Sequence, residues 1–112
     1  DHVYEALAHP RQRYVCYLLL EDTEWAVATL ATKIAAWEND ISEHAVTAQQ
    51  QNRVEISLYH VHGPKLADHG IIMFDEEAGR ISADEDAEHV AAVSKELGQL
   101  LIPCKNRLQE GR

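Results

Sequence analysis

Arg53-Val54-Glu55-Ile56-Ser57-Leu58-Tyr59-His60-Val61-His62-Gly63-Pro64-Lys65-Leu66-Ala67-Asp68-His69-Gly70-Ile71-Ile72-Met73-Phe74-Asp75 reads as a helix closed by a glycine and followed at once by a short apolar strand. At helical spacing Val54, Leu58, Val61, His62, Leu66 and His69 share one face, while Gln49, Asn52, Arg53, Ile56 and His60 fall on the opposite one. Gly70 supplies the left-handed residue just past the helix end, and the strand begins at Ile71. A helix with one polar face that passes through a glycine into a strand is the hand-over expected between a DNA-reading helix and a β-wing. Pro64 lies inside this helix, where it removes a backbone hydrogen bond and crowds the preceding turn. The sequence therefore predicts either a kink or two helical pieces.

On the N-terminal side, residues 2–9 carry Val3, Ala6 and Leu7 at helical spacing, and Pro10 either stops that helix or opens a second one at its first position. Tyr14, Val15, Leu18 and Leu19 mark residues 11–20 as a mostly buried helix, ended by the acidic run Glu21-Asp22-Thr23-Glu24. Trp25-Ala26-Val27 suits a short strand. Residues 28–37, with Leu30, Ile34 and Trp37 on one stripe and alanines between, suit the first helix of a helix-turn-helix pair, and Glu38-Asn39-Asp40 breaks it. Residues 41–51 are polar and weakly periodic, a loop or the first turns of the next helix.

On the C-terminal side, residues 71–74 and 80–82 flank Asp75-Glu76-Glu77-Ala78-Gly79, which has the length and the glycine of a hairpin loop. Val90, Val93, Leu97 and Leu100 then recur at spacings of three and four, a seam that wants a second helix. The order helix, helix, strand, helix, helix, hairpin, helix predicts an α-rich α+β fold. The architecture expected is a winged helix-turn-helix with a small β-wing and a C-terminal dimerisation helix. Residues 1–84 would form the DNA-binding domain, and residues 85–112 the dimerisation helix and tail.

The 112 residues have room for one core. No apolar run approaches the roughly 20 residues that cross a bilayer, and no signal segment opens the chain, so a cytoplasmic protein without membrane contact is expected. Two cysteines far apart, with no Cys-x-x-Cys pair, fit neither a disulfide scaffold nor a cysteine zinc site. The net charge of −9 opposes nucleic-acid binding by bulk electrostatics. Lysine is scarce and acid is spread along the whole chain, however, as in proteins of very salty cytoplasm. At molar salt the Debye length is roughly 3 Å, so only close contacts count, and inorganic ions would sit at the surface.

Three segments carry a family resemblance: Leu7-x-His9-x-Arg11-x-Arg13-Tyr14, Leu30-Ala31-x-x-Ile34-Ala35-x-Trp37-Glu38, and Leu58-x-His60-x-His62-x-Pro64-Lys65-Leu66-x-Asp68-x-Gly70. Together with His62-x-x-x-Leu66-x-x-x-Gly70-Ile71-Ile72 they resemble haloarchaeal winged-helix regulators of the PadR and ArsR type, over roughly residues 3–82. The resemblance implies a homodimer that binds double-stranded promoter DNA and changes its occupancy with oxidant.

For DNA contact the sequence offers Gln49, Asn52, Arg53, Ser57 and His60 from the helix, with Lys65 and Arg80 reaching phosphates. Asn, Gln and Arg make paired contacts to adenine or guanine edges, each worth roughly 1–3 kcal/mol of discrimination. The competing reading is an ordinary solvated helix face. Ile56 and Tyr59 also point outward, where they would meet thymine methyl groups or a sugar edge. Arg11 and Arg13 either touch the DNA backbone, cap the first helix or pair with Glu5. Half-sites would lie about one helical turn apart, and Val90, Val93, Leu97 and Leu100 would hold the dimer.

Of the two thiols, Cys16 lies in an apolar run, while Cys104 beside Lys105 is the candidate redox residue. Seven histidines raise a metal site, but His60 and His62 point away from each other on a helix, so no metal ligand and no cofactor is assigned. No phosphate-binding glycine loop and no nucleophile motif supports an enzyme. The rival from another class is a winged-helix module that has lost DNA binding and docks a protein through its acidic wing, Ile56 and Tyr59.

Overall fold

The computed structural model describes residues 8–84. The seam of Val90, Val93, Leu97 and Leu100, Cys104, and most of the first expected helix lie outside the described residues.

Helix α1, Pro10–Leu18, begins at Pro10, where the missing N–H is no loss. His9 caps it, its Nδ1 accepting the Arg11 backbone N–H at 3.1 Å. The chain then turns into strand β1, Glu24–Ala26, and enters helix α2, Val27–Asn39, without a loop. Val27, expected in the strand, is the first residue of the helix. Asp40 ends α2 in the left-handed region at φ 54°, and Ile41 N–H reaches back to the Ala36 carbonyl at 3.0 Å. This is the closure usually given to glycine.

A 3₁₀ turn, Glu43–Ala45, occupies part of the segment whose sequence left loop and helix open. Helix α3, Ala48–Ser57, starts after Thr47, whose Oγ1 accepts the Gln50 N–H at 3.1 Å while Gln50 Oε1 accepts the Thr47 N–H at 2.9 Å. That reciprocal pair is a capping box.

The expected kink takes a definite form. Residues Leu58–His62 make one π-helical turn, in which Gly63 N–H bonds to the Leu58 carbonyl, and helix α4, Gly63–Asp68, follows with Pro64 in its first turn. The wider turn gives the proline ring room, so two helical pieces replace one long helix. It also overturns one expectation: Val61, read as core-facing, is 51% exposed, because the extra residue in the turn rotates it outward. Helix α4 closes as the glycine predicted. Gly70 has φ 74°, its N–H bonds to the Ala67 carbonyl, and Ile71 N–H bonds to that of Leu66, both at 3.0 Å.

Strands β2, Ile72–Asp75, and β3, Arg80–Ala83, pair antiparallel, and β1 pairs with β3, giving the sheet order β1-β3-β2. Trp25, Ile81 and Phe74 are in register across it and pack with the core. Met73 and Asp75 alternate to the exposed side. The fold is thus a set of helices with one small three-stranded antiparallel sheet, and its core joins Val15, Leu18, Leu30, Ile34, Val54, Leu58, Leu66, Ile71 and Ile81. Among the described residues no helix is long and apolar enough to cross a membrane.

Candidate nucleic-acid interface

The outer side of α3 carries the polar stripe. Gln49, Asn52, Arg53, Ile56 and His60 are all exposed, as their spacing predicts, and only Val54 of this helix is buried. Asparagine, glutamine and arginine therefore share one exposed stripe in a helix whose start is fixed by the capping box. Lys65 is exposed on α4, and Arg80 is exposed at the start of β3.

Several side chains named from sequence have internal partners. Ser57 donates its hydroxyl proton to the Val54 carbonyl at 2.8 Å and accepts from Arg11 Nη1 at 2.8 Å, so it is part of the scaffold. Arg80 Nε is 2.7 Å from Glu24 Oε2. Both groups are about half exposed, where such a pair is worth about 0–1 kcal/mol and is easily exchanged for another anion. Glu5 and the helix that Arg11 was expected to cap lie outside the described residues, and within them Arg11 binds the end of α2. Its guanidinium grips Glu38, with Nη2 3.0 Å from Oε1 and Nε on Oε2. Tyr59, expected to point outward, is half-buried, its ring centroid 5.6 Å from that of Phe74. A Cβ on Gly79 would stand 2.8 Å from the Tyr59 hydroxyl. Tyr59 therefore braces the β2–β3 hairpin against the helical segment, and Ile56 alone of that pair stays outward.

The hairpin tip is acidic, with Asp75, Glu76 and Glu77 exposed. Asp75 Oδ1 accepts the Ala78 N–H at 3.0 Å and so shapes the turn.

Behind the helical segment lies a buried polar cluster that the spacing of histidines did not reveal. His62 Nδ1 is 3.0 Å from Gln12 Oε1, with both side chains buried, and the His9 ring lies 4.3 Å away. Burial, then the charges of His9, Arg11 and Lys65, lower the His62 pKa to about 4, so the ring is neutral at pH 7 and donates through Nδ1. His9 is lowered as well, by burial first and then by Arg11. Among the described residues no group of three or more His, Cys, Asp or Glu side chains could hold a metal ion. Cys16 is fully buried and its pKa is pushed up to about 12, so its thiol is chemically quiet at neutral pH.

The family model of a domain of unknown function, DUF7344, matches residues 4–82. Neither the comparison with curated proteins nor that with solved structures gave a match.

Proposed function

We propose that this chain, which belongs to the DUF7344 family, is a winged helix-turn-helix transcriptional regulator that binds DNA sequence-specifically through α3. The observation that carries the reading is the single exposed stripe of Gln49, Asn52, Arg53 and His60, on a helix that crosses α2 and is continued by a braced β-hairpin. Helix α2 and helix α3 serve as the helix-turn-helix pair, with an unusually long connection, and the β2–β3 hairpin serves as the wing. Gln49, Asn52, Arg53 and His60 face base edges, and Lys65 with Arg80 faces phosphates.

The resemblance to haloarchaeal PadR-like regulators, most of all to the oxidative-stress regulator RosR, supports a cytoplasmic homodimer that responds to oxidant. With Cys16 buried, a direct thiol sensor would have to be Cys104. The acidic balance of 19 Asp and Glu against 10 Lys and Arg is met by molar salt, where repulsion beyond about 3 Å is screened.

The same net charge favours a second reading, a protein-docking module that uses the acidic hairpin and the exposed Ile56. Binding of the purified protein to genomic promoter fragments across molar potassium chloride, with and without peroxide, separates the two. Selective binding that weakens with peroxide is the expected result. Absence of selective binding at every salt concentration would remove the DNA reading in favour of the docking module.

A further inference from the structure

Arg11 holds a constellation that base reading does not use. Its side chain starts in the first turn of α1, grips the Glu38 carboxylate near the C-terminus of α2 through Nε and Nη2, and donates from Nη1 to Ser57 Oγ at the last residue of α3. Three helices distant in sequence are thus joined at one guanidinium. The ion pair is about one quarter exposed on either side, less open than a surface bridge. Ser57 passes the tie on, since its own hydroxyl bonds to the Val54 carbonyl.

We propose that Arg11 is a positioning residue: it fixes the angle at which α3 presents Gln49, Asn52 and Arg53, and does so without touching DNA. The proposal rests on the DNA-binding reading. Three features of the site support it. All three guanidinium nitrogens have partners inside the protein, which orients the fork inward and not toward a phosphate. Ser57 is also the residue at which α-helical turns give way to the π turn, so a contact there sets the direction of α3 relative to the packed stretch that follows. Finally, α3 lies along α2, with Val54 buried and Gln51 Nε2 donating to the Ala28 carbonyl at 3.3 Å, and Arg11 adds the tie at its C-terminal end, so that the contact at Ser57 sets how this end meets α2. A planar fork can serve a carboxylate and a hydroxyl together, whereas the compact ammonium of lysine cannot reproduce the geometry.

The test compares wild type, Arg11→Lys, Arg11→Ala and Glu38→Gln on a selected promoter fragment and on random-sequence DNA across potassium chloride. Amide hydrogen exchange of residues 57–62 is followed in the same four proteins, after urea unfolding has shown that each is folded. Arg11→Lys and Arg11→Ala should each lose about tenfold in selective binding, on the scale of one misplaced base contact. Binding to random DNA and the salt slope should stay unchanged, Glu38→Gln should weaken selectivity too, and exchange at 57–62 should quicken. If Arg11 instead touched a phosphate, Arg11→Ala would weaken both DNAs equally and reduce the slope of log K against log salt by about 0.9. Glu38→Gln would then tighten binding, and that pattern overturns the proposal. If wild type selects no DNA, the functional reading fails separately. The exchange data then decide the tie: unchanged exchange in both Arg11 variants overturns it, and quicker exchange upholds Arg11 as the residue that positions α3.

Discussion

Along α3 only Val54 is buried, whereas in the next eleven residues Leu58, His62, Gly63 and Leu66 all are. The first stretch is held at its ends and sides by directional polar contacts: the capping box at Thr47, the Gln51 amide on α2, and Arg11 on Ser57. The second is held by close packing, with Gly63 wedged between the Leu58 carbonyl and the Phe74 ring. One continuous segment thus divides into a part whose surface is left free and a part that anchors it. Changes in the anchor should appear in stability, and changes in the free part should appear in binding.

The largest effect is expected at Gly63. A Cβ there would run into the Leu58 carbonyl oxygen and lie 2.7 Å from Phe74 Cε2, and the carbonyl cannot retreat without opening the π turn. Gly63→Ala should therefore lose about 3 kcal/mol, the upper end of the overpacking range, read as a lower urea midpoint at constant slope. A loss below about 1 kcal/mol would mean that the anchor yields and the division between the two stretches is not real.

Next comes acid. The folded pKa of His62 is lowered from 6.5 to about 4, so the unfolded chain binds the proton more readily than the folded one. The stability due to keeping this ring neutral is complete above about pH 6.5 and is lost as pH falls toward 4. Urea midpoints measured from about pH 7 to about pH 4 should fall, and those of His62→Gln, which removes the titration, should fall less steeply. Parallel profiles would show that His62 is not held neutral in the anchor.

The uneven division also explains what the sequence made readable. Gly70 as a helix terminator, the polar stripe of α3 and the strand pair around Gly79 all follow from local chemistry, and the structure has each of them, while Pro10, which the sequence leaves as either a stop or a start, starts a helix. The π turn was half legible. Val54, Leu58, His62 and Leu66 recur every fourth residue, and in a straight α-helix each such step drifts by about 40°. A wider turn in the middle swings the row back onto one face, which lets all four be buried while Val61 is turned out. Asp40 closing α2 in the left-handed region was less visible, because glycine is the usual signal. The Arg11–Glu38–Ser57 tie and the Gln12–His62 pair span 27, 46 and 50 residues, and no periodicity links positions that only the tertiary fold brings together. Thus Ser57, offered for DNA contact, is scaffold, and Tyr59 is the brace of the hairpin.

At the start of α3 a smaller, local loss is expected. Thr47→Ala removes one half of the capping box and leaves the Gln50 N–H without its side-chain acceptor, which should lower stability by about 1 kcal/mol. Hydrogen exchange should quicken at residues 48–51 first, since the packed stretch beyond Leu58 does not depend on this cap. Equal quickening along residues 48–68 would mean that the two stretches open as one unit, with no boundary at Leu58.

The smallest effect on stability, and the sharpest test of the division, belongs to Arg53. It is exposed in the middle of the free stripe, so Arg53→Ala should shift the urea midpoint by no more than the equivalent of about 0.5 kcal/mol. Without its guanidinium on a base edge, selective binding should nevertheless weaken by about 1–3 kcal/mol, while binding to random DNA changes less, because base edges carry sequence information and phosphates do not. Equal weakening on selected and random DNA would place Arg53 on a phosphate and shift base reading toward Gln49 and Asn52. Reduced stability with selectivity intact would show that α3 is held by the face that we describe as free, and would reverse the assignment of the two stretches.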